Sequence, residues 1–283
     1  MKIILAKTAG FCMGVKRAVQ IALETAQGQD EIFTCGPLIH NPQAVETLRA
    51  KGVTPLPDDV DPDHGILLIR AHGMPADRIA RLRARGLTIV DATCPHVVSS
   101  QKRIASCSAA GVPVIIVGDR EHPEILSLQS FATGPCYILS SVAEAQALPA
   151  LDRAMVIAQT TFNAADYEAI GAELRRRIPH CQIFQSICKA TSRRQEEVQR
   201  LARTCDAVVV VGGRNSANTR RLAEIAAASG RPTFHVETAA ELPLEAFATF
   251  TTVGVTAGAS TPDWITEEVI RCLTTPRPLP RAG

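Results

Sequence analysis

The chain has 283 residues, 46% hydrophobic and 20% charged, the balance of a globular protein of two or three domains. A formal net charge of +2, from 30 basic and 28 acidic side chains, excludes a polybasic nucleic-acid binder, and 4% aromatics leave little on which bases could stack. The opening MKIILAKTAGFCMG is broken by Lys7 and does not read as a signal peptide. No apolar run approaches the ~18 residues of a membrane span, so a cytoplasmic location is expected.

In chain order, the hydrophobic pattern predicts a strand at 3–6, helices at 14–28 and 42–51, a strand at 66–70 and a helix at 75–85. A strand at 88–91, a helix at 96–110 and strands at 113–117 and 155–158 follow. Then come a helix at 163–177, a strand at 183–185, a helix at 190–204, a strand at 207–211, a helix at 219–229, a strand at 252–255 and a helix at 262–273. Pro75, Pro95 and Pro262 stand where a first helical turn tolerates them, and the tail TTPRPLPRAG is expected to be loose. Such alternation means α/β architecture with mainly parallel sheets and helices on both faces.

Nine cysteines, an odd number with no CxxC pair, argue against a disulfide framework and against thioredoxin-like chemistry. Cys35, Cys107, Cys136, Cys181, Cys205 and Cys272 read as small packing residues, with Cys107 and Cys272 in helices, Cys181 after a helix and Cys205 before a strand. Cys12 in GFCMG, Cys94 in DATCP and Cys188 in QSICKATS differ. Each stands between a strand-like run and an amphipathic helix, where free helix amides favour the thiolate.

Cys12 and His40, Cys94 and His122, and Cys188 and Ser216 are each 28 positions apart. Every interval reads as thiol, helix, strand and polar loop, and a further strand then delivers His72, Thr160 or Ser260. In α/β folds, ligands lie beyond the carboxyl ends of strands, where these polar clusters fall. The chain therefore reads as three similar small α/β domains in pseudo-threefold arrangement around one site. The first spans 12–93 with Cys12, His40 and His72. The second spans 94–187 with Cys94, His122, Glu124 and Thr160. The third spans 188–265 with Cys188, Ser216, Asn218 and Ser260, and 1–11 and 266–283 act as terminal tie segments.

Three thiolates without a fourth partner suit either zinc with a water or a [4Fe–4S] cluster with one open iron. Histidines, hydroxyls and helix starts are phosphate-binding chemistry, yet neither a Walker A loop nor GxGxxG is present. A small diphosphate beside a cluster fits better than a nucleotide. Glu124 is placed to deliver protons, directly or through Thr160, whereas Asp91 suits organising the Cys94 turn. Thr161, Asn163 and Thr191 are candidates for orienting these groups.

The segments GFCMGVKRA, GPLIHNP, RAHG, DATCP, HPE, QTT, the 215–218 loop and GASTPDW, in this order over residues 1–273, resemble the 4-hydroxy-3-methylbut-2-enyl diphosphate reductase family. That family closes the methylerythritol phosphate route to isoprenoids. The resemblance implies three α/β domains around an oxygen-sensitive [4Fe–4S] cluster ligated by Cys12, Cys94 and Cys188, with the substrate's allylic hydroxyl at the unique iron. Two electrons and two protons would remove it as water, giving isopentenyl and dimethylallyl diphosphates. By the same carry-over His40, His72, His122, Ser216, Ala217, Asn218 and Ser260 hold the diphosphate. Glu124 is the proton source, with Thr160 and His122 at the reacting end. Ferredoxin or flavodoxin would supply electrons, and neither nucleic acid nor membrane is implied as a partner.

Two positions depart from the family pattern. Ala217 stands where a second serine is usual, which costs one hydrogen bond to a charged group, ~1.5–3 kcal/mol, or shifts it to the backbone N–H. Lys189 replaces a common tyrosine after Cys188; it suits pointing to solvent, donor docking or anion binding. The competing readings are a diverged reductase acting on another allylic or phosphorylated substrate, a non-enzymatic iron–sulfur redox sensor, and a zinc hydrolase.

Overall fold

The computed structural model describes residues 1–28 and 30–275; most of the tail expected to be loose lies outside them. Its elements run β1 (Lys2–Leu5), α1 (Met13–Thr25), β2 (Ile32–Cys35), α2 (Pro42–Arg49), β3 (Val53–Leu56), β4 (Ile66–Ile69), α3 (Ala76–Ala84) and β5 (Thr88–Asp91). Next are α4 (Pro95–Ala109), β6 (Val114–Val117), α5 (Pro123–Gln129), β7 (Cys136–Leu139), α6 (Val142–Gln146), β8 (Arg153–Ala158), α7 (Ala164–Arg177) and β9 (His180–Ile183). The chain continues through α8 (Lys189–Thr204), β10 (Ala207–Val211), α9 (Ala217–Ala227), β11 (Thr233–Val236), β12 (Thr252–Ala257) and α10 (Asp263–Thr274).

These strands form three four-stranded sheets, paired in parallel throughout. Their orders are β3-β2-β4-β5, β7-β6-β8-β9 and β11-β10-β12-β1, one topology used three times. In the third sheet the fourth place is filled by β1, so the first strand of the chain completes the last sheet. Two compact units result: residues 12–192 hold the first two sheets, and residues 1–11 with 193 onward hold the third.

Alternation along the strands explains the layering. In β6 and β8, Ile115, Val117, Val156 and Ala158 pack against Tyr167, Ile170 and Leu174 of α7. Their neighbours Val114, Ile116, Met155 and Ile157 pack on the other face against Val97 and Ile104 of α4 and Ile125 and Leu128 of α5. The third sheet does the same, with Val209, Val211, Val253 and Val255 facing Ile265 and Val269 of α10, while Val208 and Val210 face Val198, Leu201 and Leu222. Each such side chain, once buried, contributes about 1.5–3 kcal/mol. Cys35 and Cys205 are members of these apolar clusters, and Cys107, Cys136, Cys181 and Cys272 pack against them, in keeping with their expected role.

Several elements differ from the pattern-based expectation. Strands β3, β7 and β11 and helix α6 were not expected, whereas β2 is the strand that the Cys12–His40 interval implied. Strands β3, β7 and β11 lie at sheet edges; β3 carries Pro55, which an edge tolerates, β11 alternates Thr233 and His235 with Phe234 and Val236, and β7, although apolar as CYIL, is only four residues long. The strand expected at 183–185 is β9 at His180–Ile183, and Cys181 lies within it rather than after a helix. Beyond Phe184, whose N–H still donates to the Val156 carbonyl at 2.9 Å, a side chain takes over the ladder: Ala158 N–H donates to Ser186 Oγ at 2.7 Å and Ser186 Oγ–H donates to the Ala158 carbonyl at 3.0 Å.

Candidate active site

Cys12 and Cys94 occupy the N-cap positions of α1 and α4, and Cys188 directly precedes α8. All three belong to the 12–192 unit, with free, half-buried thiols. Val15 N–H donates to Cys12 Sγ at 3.4 Å. Strand pairing continues past the strand ends, since Cys94 N–H donates to the Ala71 carbonyl and Cys188 N–H to the Thr160 carbonyl, each at 3.0 Å. The fourth strand thus carries its cysteine beside what the third strand delivers, His72 in one sheet and Thr160 in the other.

Burial raises the Cys94 thiol above its ordinary pKa. The charges of Cys12 and Cys188 push the same way, and the amides of His96 and Val97 oppose them. Cys94 therefore lies within electrostatic reach of both other sulfurs. Gly14 leaves the space between two of them open: a Cβ there would sit 2.6 Å from Cys94 Sγ and 3.9 Å from Cys12 Sγ. Three thiols, helix amides and a cradle that one methyl would fill are a donor set that fits a group held by three sulfurs. Gly14→Ala is expected to fold normally by far-UV circular dichroism but to lose most bound iron, measured as iron per chain after anaerobic reconstitution.

The same unit brings His40, His72 and His122 together. One ring nitrogen of each lies within 4.8 Å of the others, an arrangement able to hold a metal ion or an anion. Ring centroids are 4.4 Å apart for His40–His72, 5.4 Å for His72–His122 and 5.7 Å for His40–His122. Helix starts set them there. His40 precedes Asn41, whose Oδ1 accepts the Ala44 N–H at 2.9 Å to cap α2. His122 caps α5, its Nδ1 accepting the Glu124 N–H at 3.1 Å, which places the proton of the neutral ring on Nε2. Burial, then His40, His122 and Arg70, hold His72 well below the usual histidine range, and its buried Nδ1 has no hydrogen-bond partner.

Glu124 is 1% exposed and its carboxylate faces Thr160. Oε1 accepts the Thr160 N–H at 2.6 Å and Oε2 accepts the Thr160 Oγ1–H at 2.8 Å. Burial raises its pKa to about 7, and the two Thr160 bonds only partly offset that. The carboxylate is thus engaged by Thr160.

Ser216, Ala217, Asn218 and Ser260 lie in the other unit. Ser216 caps α9, its Oγ accepting the Thr219 N–H at 3.3 Å, and Ser260 Oγ–H donates to Ser216 Oγ at 3.4 Å. Asn218 is 4% exposed, and neither its Oδ1 nor its Nδ2 has a hydrogen-bond partner. Such atoms cost ~1–3 kcal/mol each if nothing meets them, so Asn218 retains the capacity to bond a further group.

Asp91 Oδ1 accepts the Thr93 N–H at 2.8 Å, as expected for the Cys94 turn. Asn163 caps α7, its Oδ1 accepting amides of Ala165 and Asp166, so it serves that helix rather than orienting Glu124 or Thr160. Thr191 is buried in the first turn of α8, and Lys189 is exposed.

Three supporting residues escaped the pattern. Gln101 Nε2–H donates to Ser127 Oγ at 2.9 Å, and Ser127 Oγ–H donates to the Met74 carbonyl at 3.1 Å. Two buried side chains thereby tie α4, which Cys94 caps, to α5 and to the loop bearing His72. Gln159 Oε1 accepts the Asp119 N–H at 3.0 Å and its Nε2–H donates to Thr161 Oγ1 at 2.9 Å, joining the loops after β6 and β8. Mid-helix or mid-loop neutral polar residues carry no spacing signal, so sequence could not single them out. Ser127→Ala leaves Gln101 unpaired and is expected to cost ~1–3 kcal/mol by denaturant titration.

The family model described as LytB protein matches residues 3–274. The 4-hydroxy-3-methylbut-2-enyl diphosphate reductase of Pelobacter propionicus is 45% identical over 270 residues, covering 95% of this chain and 96% of the relative. That of Geobacter sulfurreducens is 44% identical with the same coverage. A solved (E)-4-hydroxy-3-methyl-but-2-enyl diphosphate reductase, the terminal enzyme of the non-mevalonate pathway, aligns with a TM-score of 0.70 and 38% identity over 96% of this chain and 98% of its own. The Plasmodium falciparum E-1-hydroxy-2-methyl-but-2-enyl-4-diphosphate reductase aligns with a TM-score of 0.92 and 26% identity over 97% and 88%. With nearly every residue inside the family match and the relatives covered end to end, the chain belongs to the LytB protein family.

Proposed function

We infer that the chain removes the hydroxyl of 4-hydroxy-3-methylbut-2-enyl diphosphate, giving isopentenyl diphosphate or dimethylallyl diphosphate and water. The carbon–oxygen bond breaks, a carbon–hydrogen bond forms, and two electrons and two protons are consumed. The observation that carries this reading is the buried Glu124–Thr160 pair, joined through the Thr160 carbonyl to the Cys188 amide. It sets a proton source beside a cysteine in a chain whose relatives bear that reductase name.

Cys12, Cys94 and Cys188 would hold a [4Fe–4S] cluster. Bound there, it supplies electrons and one iron open to act as a Lewis acid. A single zinc, with sulfur bonds of about 2.3 Å, needs its sulfurs about 3.8 Å apart. Among the described residues the one set with ligand atoms mutually within 4.8 Å is the three histidines, which favours the larger group for the cysteines.

His40, His72 and His122 serve the diphosphate, and Ser216, Asn218, Ser260 and the Ala217 N–H are assigned the same role. Anion charge acts on His72 against the burial that keeps it neutral, so binding takes up protons. With a pKa of about 7 the acid form of Glu124 is accessible; in that form Oε2–H donates to Thr160 Oγ1, and the threonine hydroxyl turns its own proton away from Oε2 to the leaving hydroxyl. Ferredoxin or flavodoxin is the expected donor and the cytoplasm the expected location; no described helix is long and apolar enough to cross a membrane.

The test is anaerobic turnover of the diphosphate with reduced methyl viologen, following both products and metal content. Formation of both products by a brown, iron-containing protein is expected. A colourless protein holding one zinc and forming neither product overturns the reading.

A further inference from the structure

The helices that begin at the cysteines of the 12–192 unit carry cations that the rest of that unit does not explain. Two hollows flank the start of α4. One, of about 470 Å³, is lined by Arg17, Asp91, Ser99 and Lys102 among others. The second, of about 170 Å³, is lined by Ser99, Arg103, Phe184 and Lys189 among others. Ser99 borders both, so they form one continuous surface. Arg17, Lys102, Arg103 and Lys189 are all exposed there, and the one carboxylate among the lining residues is Asp91, already engaged by the Thr93 N–H.

Elsewhere in the unit arginines pair with acids: Arg70 with Asp58, Arg78 with Asp61, Arg120 with Glu144, Arg176 with Glu173. Among the described residues none of these four cations is ion-paired. Two are nonetheless held in place. Arg17 Nη1 donates to the Thr93 carbonyl at 3.1 Å, and the Arg103 guanidinium lies 4.1 Å from the centroid of the Phe184 ring. Met13, 63% exposed, stands one turn before Arg17 on the same side of α1 and next to Cys12.

We propose that this face docks an acidic one-electron carrier protein, which delivers electrons where Cys94 and Cys188 sit. The proposal rests on the reductase reading. The reaction consumes two electrons, and the chain has no dinucleotide fingerprint with which to bind its own hydride source. Two reduced carriers must therefore be oxidised, one electron each, for every C–O bond broken. Thr93 and Pro95 flank Cys94 in the first hollow, and Lys189 follows Cys188 in the second. Residues adjacent in the chain to Cys94 and Cys188 thus form part of the surface on which the carrier would sit. Unpaired exposed cations, with one exposed methionine a helical turn from Arg17, suit fast, salt-sensitive and short-lived association. Nucleic acid fits less well, because the rings lining the two hollows are only His96 and Phe184, and Phe184 is already covered by Arg103.

The test uses iron-loaded protein, its Lys102→Glu/Lys189→Glu variant and the single Lys102→Glu variant, with an acidic [2Fe–2S] ferredoxin as probe. Calorimetric Kd for the oxidised ferredoxin is expected to weaken about tenfold or more in the double variant, less in the single one, and in the parent as salt rises. Ferredoxin-driven kcat/KM should fall in parallel while methyl viologen-driven turnover stays within about twofold. An unchanged Kd in both variants overturns the proposal, as does tight binding of a DNA oligonucleotide with none of ferredoxin. Absent viologen-driven turnover in the parent overturns the reductase reading instead, and the Kd comparison still decides the docking face.

Discussion

Cys94→Ser protein prepared without oxygen is expected to fold, to come out nearly colourless and to lose more than about 100-fold in turnover, since even residues that only support a metal's ligands are worth 10–100-fold. Serine is close to cysteine in volume, and Cys94 N–H still donates to the Ala71 carbonyl, so the strand-end pairing survives. The loss falls on the sulfur. A hydroxyl is far harder to deprotonate than a thiol already half-buried against two neighbours, and oxygen is a poor partner for iron–sulfur chemistry. Iron per chain and the visible absorption band check it. An iron content equal to the parent's would remove Cys94 from the ligand set.

The second large effect belongs to Glu124→Gln. Glutamine fills the same volume and its carbonyl oxygen can still accept the Thr160 hydroxyl, but it has no proton to give. Turnover is expected to fall by about 10²–10⁴-fold with binding of the diphosphate retained, the usual worth of a positioned acid. The pH profile carries the signature. Burial raises the carboxyl from the ordinary 4.5 to about 7, so the acid form needed for delivery is lost as pH rises through 7. The parent's rate should decline across that range and the residual rate of the variant should not.

Stability changes with the same sign. The folded protein holds this proton more tightly than the unfolded chain. That contribution is complete below about 4.5 and gone once pH has risen through about 7. Denaturant titrations at pH 5 and 8 should show the parent losing more stability than Glu124→Gln over that interval.

Much of this was legible in the sequence, for a definable reason. The 28-residue interval works because each cysteine stands at the same place in the topology, after a fourth strand and before the helix that leads into another sheet's first strand. Central strands such as 114–117 and 207–211 announce themselves as unbroken apolar runs because helices bury both faces. Edge strand β11 is covered less completely, so its residues need not be apolar, and β7, CYIL, is too short a run to stand out. At the site, charged and thiol-bearing residues stood out by chemistry. Gln101, Ser127 and Gln159 did not, because a hydrogen bond between residues 26 or 40 positions apart leaves no local trace.

The place of β1 has a consequence for how the chain comes to be folded. Its one strand partner is β12, some 250 positions later, in register from Lys2 with Thr252 to Leu5 with Val255. During synthesis at about 5–20 residues per second, the 12–192 segment emerges complete and can collapse early. The first strand to leave the ribosome must meanwhile wait, its edge unmatched, until nearly the last has been made. The third sheet thus closes as a final, long-range step, the slowest kind of contact to form. A chain interrupted before residue 252 is left holding an orphaned N-terminal strand.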